Sequence, residues 1–222
     1  MYLLVLWTFL FGSPQISQKV SDRFSNHPKT ENKDPDEVVR FKNKTVPKVI
    51  LEPVLKALAY FPDLDSVDIT FEFKENISGA VMQAQPKIFS LFVNGKEDRK
   101  YRIKITRELD LGGELLPIEK IPIDALVGWI GHELGHVMDY LKRSSTDMMH
   151  FGARYFLSKK KVTEAELTAD GYAIGCGMGL QILANKTYIL NNEGFDVEYR
   201  NKIKSLYMSP DQIISMSEAL EK

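Results

Sequence analysis

The sequence is poor in cysteine, balanced in charge and without an apolar run long enough to cross a membrane. Cys176 is the one cysteine in 222 residues, so no disulfide can form within the chain and the fold does not depend on an oxidising compartment. The 29 basic and 30 acidic residues leave a net charge of −1, without the basic excess typical of a nucleic-acid-binding domain. The 44% hydrophobic content is enough for one well-packed domain.

The chain begins with an apolar run, MYLLVLWTFLF, at residues 1–11. A transmembrane helix needs about 20 apolar residues, so we expect no integral membrane span. The run has the length of the apolar core of a signal peptide, although no Lys or Arg precedes it. We therefore expect a periplasmic or secreted protein, and the alternative is a cytoplasmic protein in which the run packs on the domain. The predicted organisation is a signal peptide or apolar segment at 1–18, a polar linker or arm at 19–45, and a single domain at 46–222.

Strand patterns dominate the first half of that domain. Between residues 67 and 73 apolar residues alternate with polar ones, as in a half-buried strand. Residues 78–84, 88–93 and 101–106 are three further candidates, with the turn signal Asn94-Gly95 between the last two. The spacing predicts an N-terminal antiparallel or mixed sheet of about four strands, most simply an antiparallel meander.

Helical patterns follow from Pro122 onward. Pro122 suits the first turn of a helix and Asp124 suits the positive end of its dipole, so a long helix is predicted over residues 122–143. A sheet followed by helices predicts an α+β fold. The other predicted helices cover residues 51–60, 147–157, 163–183, 197–207 and 210–220, with possible capping boxes at Thr163/Glu166 and Ser209/Gln212.

One pair of histidines has the spacing of a metal site. His132 and His136 lie four apart on the long helix, so both imidazoles project from one face and can bind one Zn²⁺ at about 2.0–2.1 Å. Glu133 lies about 100° round the helix, where its carboxylate can take a proton from a water that the metal activates. The alternative is a pair of histidines on a purely structural helix, which the strongly apolar surroundings of the motif disfavour.

A catalytic zinc site needs a third protein ligand and an open position. An extension of the motif by a third histidine fails, because Asp139 and Lys142 stand at the required offsets. Glu166 and Asp170 lie four apart on one face of a later predicted helix. Glu166 can bind the metal while Asp170 accepts a hydrogen bond from the far nitrogen of a ligand histidine. Which of the two carboxylates completes the site stays open at this point.

With HELGH at 132–136 and E-x-x-x-D at 166–170, the chain resembles the gluzincin metallopeptidases. The resemblance implies a zincin-like fold with an antiparallel strand along the cleft, for which residues 101–106 or 88–93 would fit. It covers only these two helices and the order of elements, and it extends to small bacterial zincin-like proteins of unknown role. The implied roles are one zinc ion held by His132, His136 and Glu166, with Glu133 as general base and Asp170 as the outer partner of a ligand.

Asp139 and a donor for the transition state complete the candidate site. Asp139, three residues after His136, is either a group that supports a ligand or a charge on the helix surface, and less favourably an alternative ligand. A donor is expected because negative charge develops on the attacked carbonyl oxygen. The possible donors, among which the sequence does not choose, are Tyr155, Tyr172, Tyr199, Tyr207, Arg200 and His150.

Together these patterns predict a zinc-dependent peptide-bond hydrolase that acts on a peptide or protein. The alternative is a catalytically silent zincin-like binding module in which the zinc is structural. The small size of the chain favours that alternative, whereas the glutamate in the motif favours the enzyme.

Overall fold

The alternation of apolar and polar residues between 67 and 73 forms a strand in a computed structural model of the chain. The structure describes residues 37–75, 77, 79–93, 98–148 and 158–221, which belong to one compact unit, Pro35–Lys222. The apolar run at residues 1–11 lies outside the described residues. The strands are β1 (Val38–Phe41), β2 (Lys44–Pro47), β3 (Asp68–Lys74), β4 (Met82–Pro86), β5 (Lys100–Thr106), β6 (Glu108–Leu111) and β7 (Glu114–Pro117).

The main sheet has five strands in the order β1-β2-β3-β5-β4, while β6 and β7 form a separate pair. It is mixed, so the antiparallel meander is wrong: β3 runs parallel to both β2 and β5. β5 lies between β3 and β4. Its side chains Tyr101, Ile103 and Ile105 are all fully buried, as suits an inner strand. β4 is antiparallel to β5 and forms the edge of the sheet next to it.

The strand predicted at residues 88–93 does not form, because Ser90–Val93 make a single helical turn instead. The Ser90 hydroxyl donates to the main-chain oxygen of Lys87 at 2.7 Å and accepts from the main-chain nitrogen of Lys100 at 3.0 Å. These local bonds bend the chain between β4 and β5 and override the apolar pattern.

The sheet begins at Val38, within the segment predicted as a polar linker. β1 and β2 form an antiparallel hairpin, and Val46 is fully buried. Lys44 is only 4% exposed, and its ammonium donates to the main-chain oxygens of Leu64 at 2.9 Å and Val67 at 2.6 Å. The hairpin was missed because a lysine in a short strand looks like a solvated residue when only the sequence is read.

The helices are α1 (Leu51–Leu58), α2 (Ile123–Lys142), α3 (Lys159–Gly175), α4 (Gly179–Asn191), α5 (Val197–Leu206) and α6 (Pro210–Leu220). The predicted α+β organisation, a sheet followed by a helical half, is confirmed. α2 is buried along nearly its whole length and packs against α1, β4, α3 and α4. Within the described ranges, no helix has the length and apolarity that a membrane crossing requires.

The single helix predicted over residues 163–183 is wrong, because α3 and α4 are separate. Gly177 lies between them with φ of 93°, a left-handed conformation that ends a helix at low cost in glycine. Its main-chain nitrogen donates to Ile174 at 2.8 Å, and that of Met178 donates to Ala173 at 3.0 Å, which closes the helix end.

The two predicted capping boxes have different outcomes. Ser209 and Gln212 form one at the start of α6, as predicted. Thr163 does not begin a helix, because α3 starts four residues earlier and the Thr163 hydroxyl donates to the main-chain oxygen of Lys159 at 3.1 Å. The helix predicted at 147–157 lies mostly outside the described residues.

Candidate metal centre

Helix α2 carries three side chains of the motif into the interior. His132, Glu133 and His136 are only 4%, 5% and 6% exposed. The C-terminal end of α2 is capped by Arg99, which donates from Nη1 to the main-chain oxygens of Arg143 at 2.7 Å and Tyr140 at 3.4 Å. The histidines therefore lie on a buried helix whose end is held in place.

Glu166 on α3 completes a buried group of three side chains that could hold a metal ion. One ligand atom from each of His132, His136 and Glu166 lies within 4.8 Å of the others. The Oε2 atom of Glu166 is 3.0 Å from Nε2 of His132 and 3.3 Å from Nε2 of His136. Tetrahedral zinc, with bonds of about 2.0–2.1 Å, places its ligand atoms about 3.3 Å apart, so these distances suit the ion.

The outer nitrogen of His132 faces a second buried carboxylate. Nδ1 of His132 lies 2.8 Å from Oδ1 of Asp170, which is fully buried. When this Nδ1 donates its hydrogen to Asp170, the neutral ring turns the Nε2 lone pair toward the Glu166 carboxylate. The lone pairs of His132 Nε2 and Glu166 Oε2 would then face each other at 3.0 Å, and two buried acceptors this close need a proton or a metal ion between them. The donor set therefore has the chemistry of a cation site.

Asp170 is itself held from two sides. The main-chain nitrogen of Met208 donates to its Oδ2 atom at 3.1 Å. The ammonium of Lys186 on α4 lies 3.2 Å from Oδ1, the same oxygen that His132 contacts. Elements that are distant in the sequence thus converge on one carboxylate.

Burial and opposing charges set the protonation of this group. Burial acts to lower the pKa of His132, but the Asp170 charge and hydrogen bonds with Asp170 and Glu166 outweigh it and raise the pKa to about 9. Burial acts to raise the pKa of Glu166, but its hydrogen bonds with the two histidines lower it. Burial likewise opposes ionisation of Asp170, and the nearby charges of Lys186 and His132 nonetheless lower its pKa. Both carboxylates are therefore ionised and suited to a cation.

Glu133 points from α2 toward the edge strand of the sheet. The main-chain nitrogen of Ala84 in β4 donates to its Oε2 atom at 2.6 Å. Burial raises the pKa of Glu133 in spite of the neighbouring histidines. The strand beside the motif is therefore β4, and both predicted alternatives are wrong: 101–106 is the inner strand β5, and 88–93 contains the helical turn.

Helices α2 and α3 approach each other closely at a glycine. A Cβ atom added to Gly135 would overlap the main-chain oxygen of Ala169. Ala169 lies on α3 between Glu166 and Asp170, so the glycine permits the crossing that brings both carboxylates to the histidines.

Asp139 pairs with Arg143, one helical turn away, rather than with a ligand. Its Oδ2 atom accepts from both Nε and Nη2 of Arg143 at 2.8 Å. The Nδ1 atom of His136 is buried and has no hydrogen-bond partner among the described residues. Its ring instead stacks on Tyr140, with centroids 6.0 Å apart. Asp139 is only 7% exposed and is held by Arg143, so its described contacts match neither a charge on the helix surface nor a support for His136.

A cavity of about 20 Å³ adjoins His132 and Glu133, which is room for about one water molecule. Tyr199 and Tyr207 line this cavity, whereas Tyr172 and Arg200 do not. Burial and the charges of nearby carboxylates raise the pKa of Tyr199, so its hydroxyl keeps its proton. His150 and Tyr155 lie outside the described residues.

Lys186 is the member of this centre that the sequence reading missed. It lies between Ile182 and Ile189 on the buried face of α4, and all three are at most 2% exposed. A charged residue at helical spacing within an apolar stripe was the available signal.

The site thus consists of the buried group His132, His136 and Glu166, with Asp170 behind His132 and Glu133 beside it. No family model, curated protein or solved structure matches the chain.

Proposed function

We propose that this protein is a zinc-dependent peptide-bond hydrolase of zincin-like fold. The observation that carries the proposal is the convergence of His132, His136 and Glu166 in one buried group. Structural zinc sites usually have four protein ligands, whereas three ligands are typical of a catalytic site with an open position. Glu133 adjoins this group and supplies the base that hydrolysis needs.

The residues of the chain divide the work of hydrolysis between them. Glu133 takes the proton of the attacking water, and burial raises the pKa of its carboxyl above the ordinary value, which makes the carboxylate a stronger base. Asp170 holds His132 so that the Nε2 lone pair faces the other ligands. A bound zinc ion would supply Lewis acidity toward the water and the substrate carbonyl. The Tyr199 and Tyr207 hydroxyls are the donors proposed for the oxygen that gains negative charge.

The alternative function is a silent binding module with a structural zinc. Burial favours this alternative, because the exposed fractions of the ligands are only 4–6% and the adjoining cavity has about 20 Å³. A peptide would reach such a site only after the covering segments move. Glu133 has no role as a base in a silent module. Substitution of Glu133 therefore distinguishes the hydrolase from the silent module.

The deciding experiment compares Glu133→Gln with the wild-type chain. Zinc content is measured by elemental analysis after dialysis, and cleavage of a diverse peptide library is followed by mass spectrometry. We expect one zinc per chain in both proteins and a loss of about 10²–10⁴-fold in the hydrolysis rate of the variant, because the general base is removed. Glu164→Gln is the matched control, since Glu164 is exposed on the same helix as Glu166.

Each result separates the functions. Hydrolysis at the wild-type rate by Glu133→Gln would contradict the mechanism. Stoichiometric zinc in a wild-type protein that cleaves no peptide would support the silent module. A wild-type protein that takes up no zinc would reject both.

A further inference from the structure

Lys186 is a buried ammonium in the middle of the helical half. It is 2% exposed and lies on the apolar face of α4. Removal of an ammonium from water is costly unless charged or polar partners compensate it. Its partners therefore indicate why a lysine stands at this position.

Both partners of Lys186 adjoin the same ligand histidine. Its Nζ atom lies 3.2 Å from Oδ1 of Asp170, which is 2.8 Å from Nδ1 of His132. The same Nζ lies 4.1 Å from the centre of the Tyr207 ring, a cation–π distance. The Tyr207 ring is in turn 5.3 Å from the His132 ring. One ammonium thus contacts two of the groups that surround His132.

The neighbouring residue already ties α4 to α2. Asn185 donates from its side-chain amide to the main-chain oxygen of Ala125 at 3.2 Å. A Cβ atom added to Gly128 would overlap the main-chain oxygen of Gln181, so the two helices pack closely without help from Lys186. Attachment of α4 therefore does not require a charge at position 186.

We infer that Lys186 is a positioning residue of the metal centre, which orients His132 through Asp170. It fixes the Oδ1 atom of Asp170, while the main-chain nitrogen of Met208 fixes Oδ2. A carboxylate held at both oxygens cannot rotate, so the hydrogen bond to Nδ1 keeps one direction and the imidazole keeps one tautomer. This inference rests on the proposed zinc site.

The test is a double-mutant cycle on zinc affinity with Lys186→Met and Asp170→Asn. Affinity is measured by competition with a chromophoric chelator, and the Nδ1–H signal of His132 is followed by ¹⁵N NMR of the metal-free protein. We expect Lys186→Met to weaken zinc binding at least about tenfold, as loss of an outer partner does. The Nδ1–H signal of His132 is expected to change with it. The double variant should bind zinc within about twofold of Asp170→Asn alone, because the two residues act as one unit.

Lys44→Met is the matched control. Lys44 is also buried, at 4% exposed, but its ammonium donates to main-chain oxygens of residues 64, 65 and 67. Its loss is expected to leave zinc affinity and the His132 signal unchanged. Wild-type zinc affinity in Lys186→Met, or an equal loss in the control, would overturn the inference.

If Lys186→Met does not fold, Lys186→Gln carries the test, because its neutral side chain removes the ammonium from Oδ1 of Asp170 and leaves a polar group in its place. A loss of at least about tenfold in zinc affinity would support the inference, and wild-type affinity would overturn it. Failure of the proposed enzyme activity is visible in the wild-type protein, whereas failure of this inference is visible only in the variants.

Discussion

The sheet and the helical half each bury one lysine, and the two lysines differ in their partners. Lys44 of β2 donates to main-chain oxygens of the turn before β3. Lys186 of α4 pairs with Asp170, which in turn contacts His132. The exposed fractions, 4% and 2%, are nearly equal.

The difference shows that a buried charge indicates a functional site only through its partners. Lys44 satisfies carbonyl groups that would otherwise lose their hydrogen bonds, which is a local structural task. Lys186 belongs to a chain of charged side chains that ends at the histidines. Three substitutions, the first two with a control variant each, test the two regions, from the largest expected effect on the candidate metal centre to the smallest.

Gly135→Ala should have the largest effect, because it forces α3 away from α2. The new methyl group would overlap the main-chain oxygen of Ala169. We expect a loss of about 1–3 kcal/mol in the free energy of unfolding, typical of overpacking. Zinc affinity should fall at least as far as the roughly 10–100-fold that loss of an outer partner causes. Urea denaturation and chelator competition measure the two effects.

Gly175→Ala is the control for that substitution. Gly175 ends α3, and an added Cβ atom there would meet no atom within 4 Å. Alanine should leave zinc affinity unchanged and stabilise the helix slightly. If Gly135→Ala also kept wild-type zinc affinity, the close crossing would not be what brings the carboxylates to the histidines.

Asp170→Asn should reduce zinc affinity about 10–100-fold, because the amide is a weaker acceptor for the His132 Nδ1–H. Asp139→Asn makes the same chemical change in a carboxylate that pairs with Arg143. We expect its zinc affinity to stay within about twofold of wild type, as for a site not coupled to the metal. Equal losses in the two variants, measured by chelator competition, would remove the distinction between these two carboxylates.

Lys44→Met should change the free energy of unfolding and its dependence on pH, and it should leave zinc affinity unchanged. Burial lowers the pKa of Lys44 from 10.5 to about 8, although Asp65 and Asp68 act to raise it and Lys42 adds to the lowering. The unfolded chain therefore binds more protons than the folded one between pH 8 and 10.5. The contribution of Lys44 to the free energy of unfolding should rise across that window by about 1–3 kcal/mol.

The measurement is the difference in unfolding free energy between wild type and Lys44→Met at pH 8 and pH 10. Subtraction of the variant removes the titration of all other groups from the comparison. A difference that stays flat, or that falls with pH, would contradict the assigned direction.

The secondary structure was predictable where a pattern was long and local. The spacing of apolar residues after Pro122 predicted α2 closely, and Ser209 with Gln212 marked the start of α6. The strand order was not predictable, because β3 and β5 pair in parallel across a gap of more than 20 residues that contains β4. The break at Gly177 was missed because apolar residues continue on both sides of it.

The candidate site divides in the same way. His132, Glu133 and His136 could be found from the sequence because helical geometry alone places them together. Glu166 and Asp170 were recognised by the same spacing, but their assignment to inner and outer positions needed the contacts with His132. The role of Asp139 could not be predicted from the sequence, because both His136 and Arg143 lie within one helical turn of it. In the structure Asp139 pairs with Arg143.

The sequence by itself determined the α+β organisation and the residues able to bind a metal, since periodicity and spacing within one helix are properties of the local chain. Only the tertiary structure decided which strand adjoins Glu133, how closely α3 crosses α2, and that Lys186 reaches Asp170. These facts depend on contacts between segments that are distant in the sequence. Close packing and the need to pair buried charges select such contacts, and no local pattern records them.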